Sequence, residues 1–184
     1  MAPPDVESPA PPTPPRRRRG ARLLIVLIAL WAGSAAADDL GGPLLVPVAG
    51  VRPAQLHSTF GAPRGGGRRR HQGVDIFAPR GRAVRAAQSG LVVRVGTNRL
   101  GGKVVWTVGE RGLLCYYAHL DRWAPGLAAG QLVRRGQRLG SVGNTGNART
   151  TRPHLHFETR PLHRGLMAVD PVPVLGGEVA RRRR

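Results

Sequence analysis

Cysteine occurs once, at Cys115, which excludes an internal disulfide and any cysteine-built metal knuckle. It lies in Leu113-Leu114-Cys115-Tyr116-Tyr117, a β-type run, and reads as a small buried hydrophobe. Lysine also occurs once, at Lys103, so the formal net charge of +19 is almost entirely arginine. Aromatic residues make up 4%, too few for the stacking platforms of a single-stranded nucleic-acid binder. No helix-period stretch of useful length follows residue 38, and there is no internal repeat. What is present is 184 residues, 41% hydrophobic, with 26 glycines and 17 prolines. That composition holds one domain with a core, built from short strands and tight turns. We therefore expect a mostly β protein: a single compact antiparallel domain.

The N-terminus has a separate character. Met1 to Pro15 is proline-rich and polar, without the apolar content to fold. Arg16 to Arg19 form a positive block, and an apolar run follows from Leu23 to Trp31. Small residues then lead through Ala35-Ala36-Ala37 to Asp38-Asp39. This is the pattern of an export signal cleaved after Ala37, or left uncleaved as an anchor. Either way the positive end stays in the cytoplasm and the rest is exported: periplasmic, wall-associated or extracellular. An exported chain does not meet the chromosome, so nucleic acid is not expected as a partner. Beyond Ala37, twenty-four basic residues stand against eight acidic ones, a surface suited to anionic wall polymers or a membrane surface.

Four divisions follow: a leader over 1–37, a lead-in over 38–57, the domain over 58–171 and a basic tail over 172–184. Within the domain, Ser58 to Arg64 reads as a strand end running into a turn, and Gly65 to Arg70 as a flexible basic loop. Strands are expected at Gly73–Phe77, Gly90–Val95, Lys103–Val108 and Leu113–Leu120, with turns at Arg99–Gly102 and Glu110–Gly112. Gln131 to Gly140 reads as a short turn-and-strand unit. A glycine- and threonine-rich loop from Ser141 delivers the chain to Pro153.

The chemistry concentrates in the histidines. In Pro153-His154-Leu155-His156-Phe157-Glu158, read as a strand, His154, His156 and Glu158 share one face, and Leu155 and Phe157 the other. Upstream, His71 and Asp75 are four apart, an even spacing that places both on one face, with Gly73 between them to let the backbone bend. Imidazole and carboxylate both suit zinc. One imidazole of the late pair added to His71 and Asp75 makes three ligands, with a fourth position for water, as in catalytic rather than structural zinc sites. His119, at the end of a strand, is a further candidate to lean over a groove. Glu158 either accepts a hydrogen bond from a ligating histidine or forms a rim salt bridge. His57 and His163 read as ordinary surface residues. Gly101, Gly102, Gly143 and Gly146 read as turn glycines that leave a substrate room to approach.

In order along the chain, His71-Gln72-Gly73-Val74-Asp75-Ile76, Tyr117-Ala118-His119-Leu120, Gly140-Ser141-Val142-Gly143-Asn144-Thr145-Gly146 and His154-Leu155-His156-Phe157-Glu158 resemble the successive signatures of the LytM/lysostaphin-type zinc endopeptidases. Phe60-Gly61 and Asp170-Pro171 fall at the flanking motifs. The resemblance runs from about Ser58 to Pro171. It implies a compact antiparallel β fold with one zinc per chain in a long groove, cutting peptide cross-links of bacterial peptidoglycan. It assigns His71, Asp75 and His156 as zinc ligands, and His119 and His154 as the catalytic pair that does not bind the metal. We expect a monomer. The family includes degenerate members that bind wall or activate amidases without catalysis, but each of these five positions holds the functional residue here. A cupin, which also uses His-x-His, would place its glutamate further on.

Overall fold

The computed structural model describes residues 43–109 and 112–176. The leader, the proposed cleavage site, Glu110-Arg111 and the arginine tail lie outside the described residues. Among the described residues ten strands run in chain order: β1 (Pro63–Arg64), β2 (Arg69–Arg70), β3 (Val74–Phe77), β4 (Ala83–Arg85), β5 (Gly90–Asn98), β6 (Gly102–Gly109), β7 (Leu113–Trp123), β8 (Leu132–Val133), β9 (Arg138–Val142) and β10 (His154–Pro161). The helical elements among the described residues are three-residue 3-10 turns. The fold is mostly β, as expected.

β3 to β10 join in one eight-stranded antiparallel sheet: the order β3-β10-β7-β6-β5-β8 forms its main path, β9 pairs with the far end of β7, and β4 pairs with β9. Each expected strand forms, and several run longer. β5 extends to Asn98, paired with Gly102 of β6, and β7 extends to Trp123 because its end has a second partner. Once Leu120 leaves β6, Arg122 and Trp123 pair with Ser141 and Gly140 of β9. The segment expected as a loose loop after Gly65 turns back at Arg69, where β2 pairs with β1 in a separate hairpin. Gly65, Gly66 and Gly67 all have positive φ, a conformation open to glycine at little cost.

Alternation along the central strands builds the core. Tyr117 of β7 and Leu155 and Phe157 of β10 are fully buried in one apolar cluster with Val74 and Ile76 of β3. The Tyr117 and Phe157 rings lie 5.2 Å apart. Leu44, Val46 and Val48, from the lead-in, belong to this cluster too, as does Leu175. Leu44 and Leu175 form a parallel bridge that joins the two ends of the described chain. Asp170 accepts the Ser58 hydroxyl at 2.7 Å and the Val172 amide at 3.0 Å, fixing the turn that carries the chain to Leu175. Cys115 is fully buried within the core, and burial pushes its thiol up to about 12.

Candidate metal centre

The register of β10 assembles the site. His156 stands opposite Asp75 on β3 and opposite Ala118 on β7. Directly opposed residues project to the same face, so Asp75 and His156 meet as neighbours although 81 residues separate them. His154, His156 and Glu158 line a groove of about 1220 Å³ together with His71, Asp75, His119 and Tyr116, while Leu155 and Phe157 face the core.

Three donor atoms converge. His71 Nε2 lies 3.1 Å from Asp75 Oδ1 and 3.0 Å from His156 Nδ1, and His156 Nδ1 lies 3.0 Å from Asp75 Oδ1. The outer face of each ring determines what its inner nitrogen offers. His71 Nδ1 lies 3.0 Å from the Thr59 carbonyl, which can only accept, and 3.3 Å from Arg64 Nη2, which can only donate; the shorter contact assigns the hydrogen to Nδ1. His156 Nε2 donates to Glu158 Oε1 at 2.8 Å. Both inner nitrogens therefore present lone pairs toward each other and toward a carboxylate oxygen. Without a cation this arrangement is repulsive; with one it is a ready tridentate cradle. Two imidazoles and a carboxylate are a donor set that zinc accepts. Where no cation sits between them, a proton on an inner nitrogen relieves that repulsion. Burial, which works to raise the Asp75 carboxyl, is then outweighed by the hydrogen bonds from His156 and His71, which hold the group far below the usual range. For His156, burial works downward, and the bonds to Asp75 and Glu158 prevail and raise it.

His119 reaches the groove by a local irregularity. Tyr116 and Ala118 face the groove side and Tyr117 the core, so strict alternation would turn His119 inward. The pairing of β6 with β7 slips between Lys103–Leu120 and Val105–Tyr117, leaving one extra residue on β7. His119 takes up that bulge with φ +61, and the core alternation resumes at Leu120, which is fully buried. Bulges of this kind re-aim a side chain. Its amide donates to the Gly101 carbonyl at 2.7 Å and its Nδ1 to the Thr145 carbonyl at 2.8 Å. His154 is held in the same way, with Nδ1 2.8 Å from the Arg152 carbonyl and Nε2 3.8 Å from Asp75 Oδ1. The two rings meet edge to face with centroids 5.0 Å apart. In the neutral tautomers that these carbonyls select, Nε2 is the nitrogen left with the lone pair on each ring. Burial, reinforced by His154 and His156, lowers His119 to about 4, so it is neutral at ordinary pH.

The open choice at Glu158 resolves into both roles. It is buried, accepts from His156 and accepts Arg160 Nε at 2.7 Å. Arg160 also contacts Gln72 Oε1 and the Leu166 carbonyl. Gly73 serves a purpose other than the expected bend: a Cβ there would overlap the Phe157 carbonyl oxygen. The glycine lets β10 pack against the segment between the two early ligands. Gly102 does have the turn conformation, φ +64, yet the space beside it is filled by Thr145. His57 and His163 are exposed, although His57 borders the groove.

Two contributors have no role legible in the sequence, although Thr145 lies within the Gly140 to Gly146 signature. Arg64, half-buried on β1, donates to Asp75 Oδ2 at 2.8 Å, which leaves Oδ1 as the oxygen that faces the histidines. Thr145 ties the backbones of β6 and β7 to His119: its carbonyl takes the ring, while its hydroxyl accepts the Lys103 amide and donates to the Leu120 carbonyl. Nothing in a lone arginine or threonine marks such a role before the chain is folded.

The L-Ala–D-Glu endopeptidase of Bacillus subtilis is 44% identical over 109 residues, which are 54% of this chain and 32% of that protein. The peptidoglycan DD-endopeptidase ShyC of Vibrio cholerae is 35% identical over 106 residues, 58% of this chain and 22% of its own length. The chain thus spans a third or less of these relatives. Among solved structures, the catalytic domain of lysostaphin from Staphylococcus simulans superposes with a TM-score of 0.57 and 31% identity, over 67% of this chain and 92% of that domain. Residues 69–171, more than half the chain and the stretch holding all five histidine and aspartate positions, match peptidase family M23, and the chain belongs to that family.

Proposed function

We propose that this protein is a zinc-dependent endopeptidase that hydrolyses peptide cross-links in bacterial peptidoglycan. The observation that carries the proposal is the convergence of three lone-pair donors, from His71, Asp75 and His156, beside two histidines that are not part of the cradle. The relatives support the substrate: one is named for peptidoglycan, the other for a bond to a D-amino acid. Zinc held by these three ligands would supply Lewis acidity and acidify a water molecule. The protein's own part lies in His119 and His154. The Thr145 and Arg152 carbonyls fix their tautomers, so each Nε2 is ready to accept a proton at the groove and return it to the leaving amine. The edge-to-face pair, with centroids 5.0 Å apart, holds the two rings side by side at the groove. Arg64 and Glu158 hold the outer sides of Asp75 and His156, keeping the ligands in place before substrate arrives.

We assign this activity to residues 58–171 and place it outside the cytoplasm, with Met1–Ala37 as the exporting leader. Digestion of purified peptidoglycan, with products read by mass spectrometry, tests the proposal. Peptide-bond products should appear, vanish with a chelator and return with added zinc. A zinc-loaded protein that binds wall but releases no peptide product would make it a binding module instead.

A further inference from the structure

The groove carries positive charge that its own walls do not neutralise. Five arginines line it, Arg64, Arg69, Arg70, Arg99 and Arg160, against the two carboxylates Asp75 and Glu158. Both carboxylates are already engaged: Asp75 with the histidines and Arg64, Glu158 with His156 and Arg160. Arg64 and Arg160 are thereby matched. Arg70 makes one bond, to the Gly61 carbonyl at 3.3 Å. The Arg69 and Arg99 side chains are exposed and have no hydrogen bond or ion pair among the described residues.

These three stand at both approaches to the centre. Arg69 and Arg70 form β2 and directly precede His71. Arg99 lies in the β5–β6 turn, two residues before Gly101, whose carbonyl holds the His119 amide. A divalent cation in the cradle adds to the same field. An uncharged peptide such as an oligoglycine gains nothing from it. A peptide with carboxylates beside the scissile bond gains charge-assisted hydrogen bonds from planar guanidiniums.

We infer that Arg69, Arg70 and Arg99 form a carboxylate-binding subsite that selects wall peptides with free carboxylates over amidated or glycine-only ones. This rests on the endopeptidase reading for its substrate class, but it is tested by binding. The zinc-loaded full-length protein is titrated with two uncross-linked wall tetrapeptides, identical except that one has its side-chain and α-carboxylates amidated. The free form should bind roughly threefold to tenfold more tightly, the yield of a few exposed ion pairs. That gap should shrink at raised ionic strength. In the Arg69→Ala, Arg99→Ala double variant the gap should narrow to what Arg70 alone supplies. Zinc content is measured alongside, so that a lost metal cannot imitate a lost subsite. Equal affinities in the wild type, or an unchanged gap in a zinc-replete double variant, overturn the inference. Sacculus digestion run in parallel separates the two readings: discrimination without cleavage sinks the hydrolase proposal and leaves the subsite standing.

Discussion

His119 and His156 both face the groove, yet their surroundings assign them different fates. His156 contributes one of three convergent donors, whereas His119 is anchored to the Thr145 carbonyl and takes no part in the cradle. His156→Ala should therefore abolish zinc retention. His119→Ala should keep the metal and lose about 10²- to 10⁴-fold in turnover, the usual contribution of a positioned acid–base group. Metal analysis of the purified variants checks both, and a metal-free His119→Ala protein would reverse the assignment. Glu158 acts through His156, whose Nε2 it accepts at 2.8 Å. Removing it leaves a buried imidazole N–H and Arg160 Nε without that acceptor. Glu158→Ala should weaken zinc binding about 10- to 100-fold, read by competition with a chromogenic chelator. Undiminished affinity would reduce Glu158 to a rim ion pair.

At the scale of the strand, β7 trades stability for aim. Its bulge places a β-branch-free but bulky residue at φ +61, a conformation that costs a non-glycine residue about 1 kcal/mol or more. Two variants that both lack the imidazole isolate this cost. His119→Gly should be more stable than His119→Ala by about 1 kcal/mol, because only glycine occupies that region freely. Urea titration of the pair decides it. If alanine proved equal or better, the bulge would be held by its hydrogen bonds to Gly101 and Thr145 without appreciable strain. β10 is the opposite case, regular throughout. Its six pairs with β7 and four with β3 make it the rigid floor on which the ligands stand.

The whole molecule responds to pH through groups on the core side of the sheet. Burial first, against weaker help from hydrogen bonds, raises the Cys115 thiol from 9.0 to about 12 and lifts the Tyr117 phenol well above 10.0. Both stay neutral in the fold while the unfolded chain ionises near the ordinary values. Folded values raised in this sense mean stability is complete below about pH 9 and is lost as pH climbs toward about 12. The urea midpoint should be flat below that window and fall through it, and Cys115→Ala should flatten part of the slope; a slope identical in the variant would acquit the thiol. The net charge of +19 acts on the same scale. Retention on isolated walls should weaken as salt rises, and salt-independent retention would count against a charge-based hold. Local pattern was sufficient for much of this protein. Period-two alternation made the two faces of β10 legible from His154 to Glu158, and residue type alone nominated His71, Asp75 and the late histidines, since those properties depend on neighbours within a few positions. The rest required partners distant in the chain. Only the folded sheet decided that His156 stands opposite Asp75, that one extra residue turns His119 out of the core, that Arg64 secures the outer oxygen of Asp75, and that Gly73 is there to admit the Phe157 carbonyl. Register, bulges and close approaches are set by what packs on the other side, and no stretch of sequence carries that information by itself.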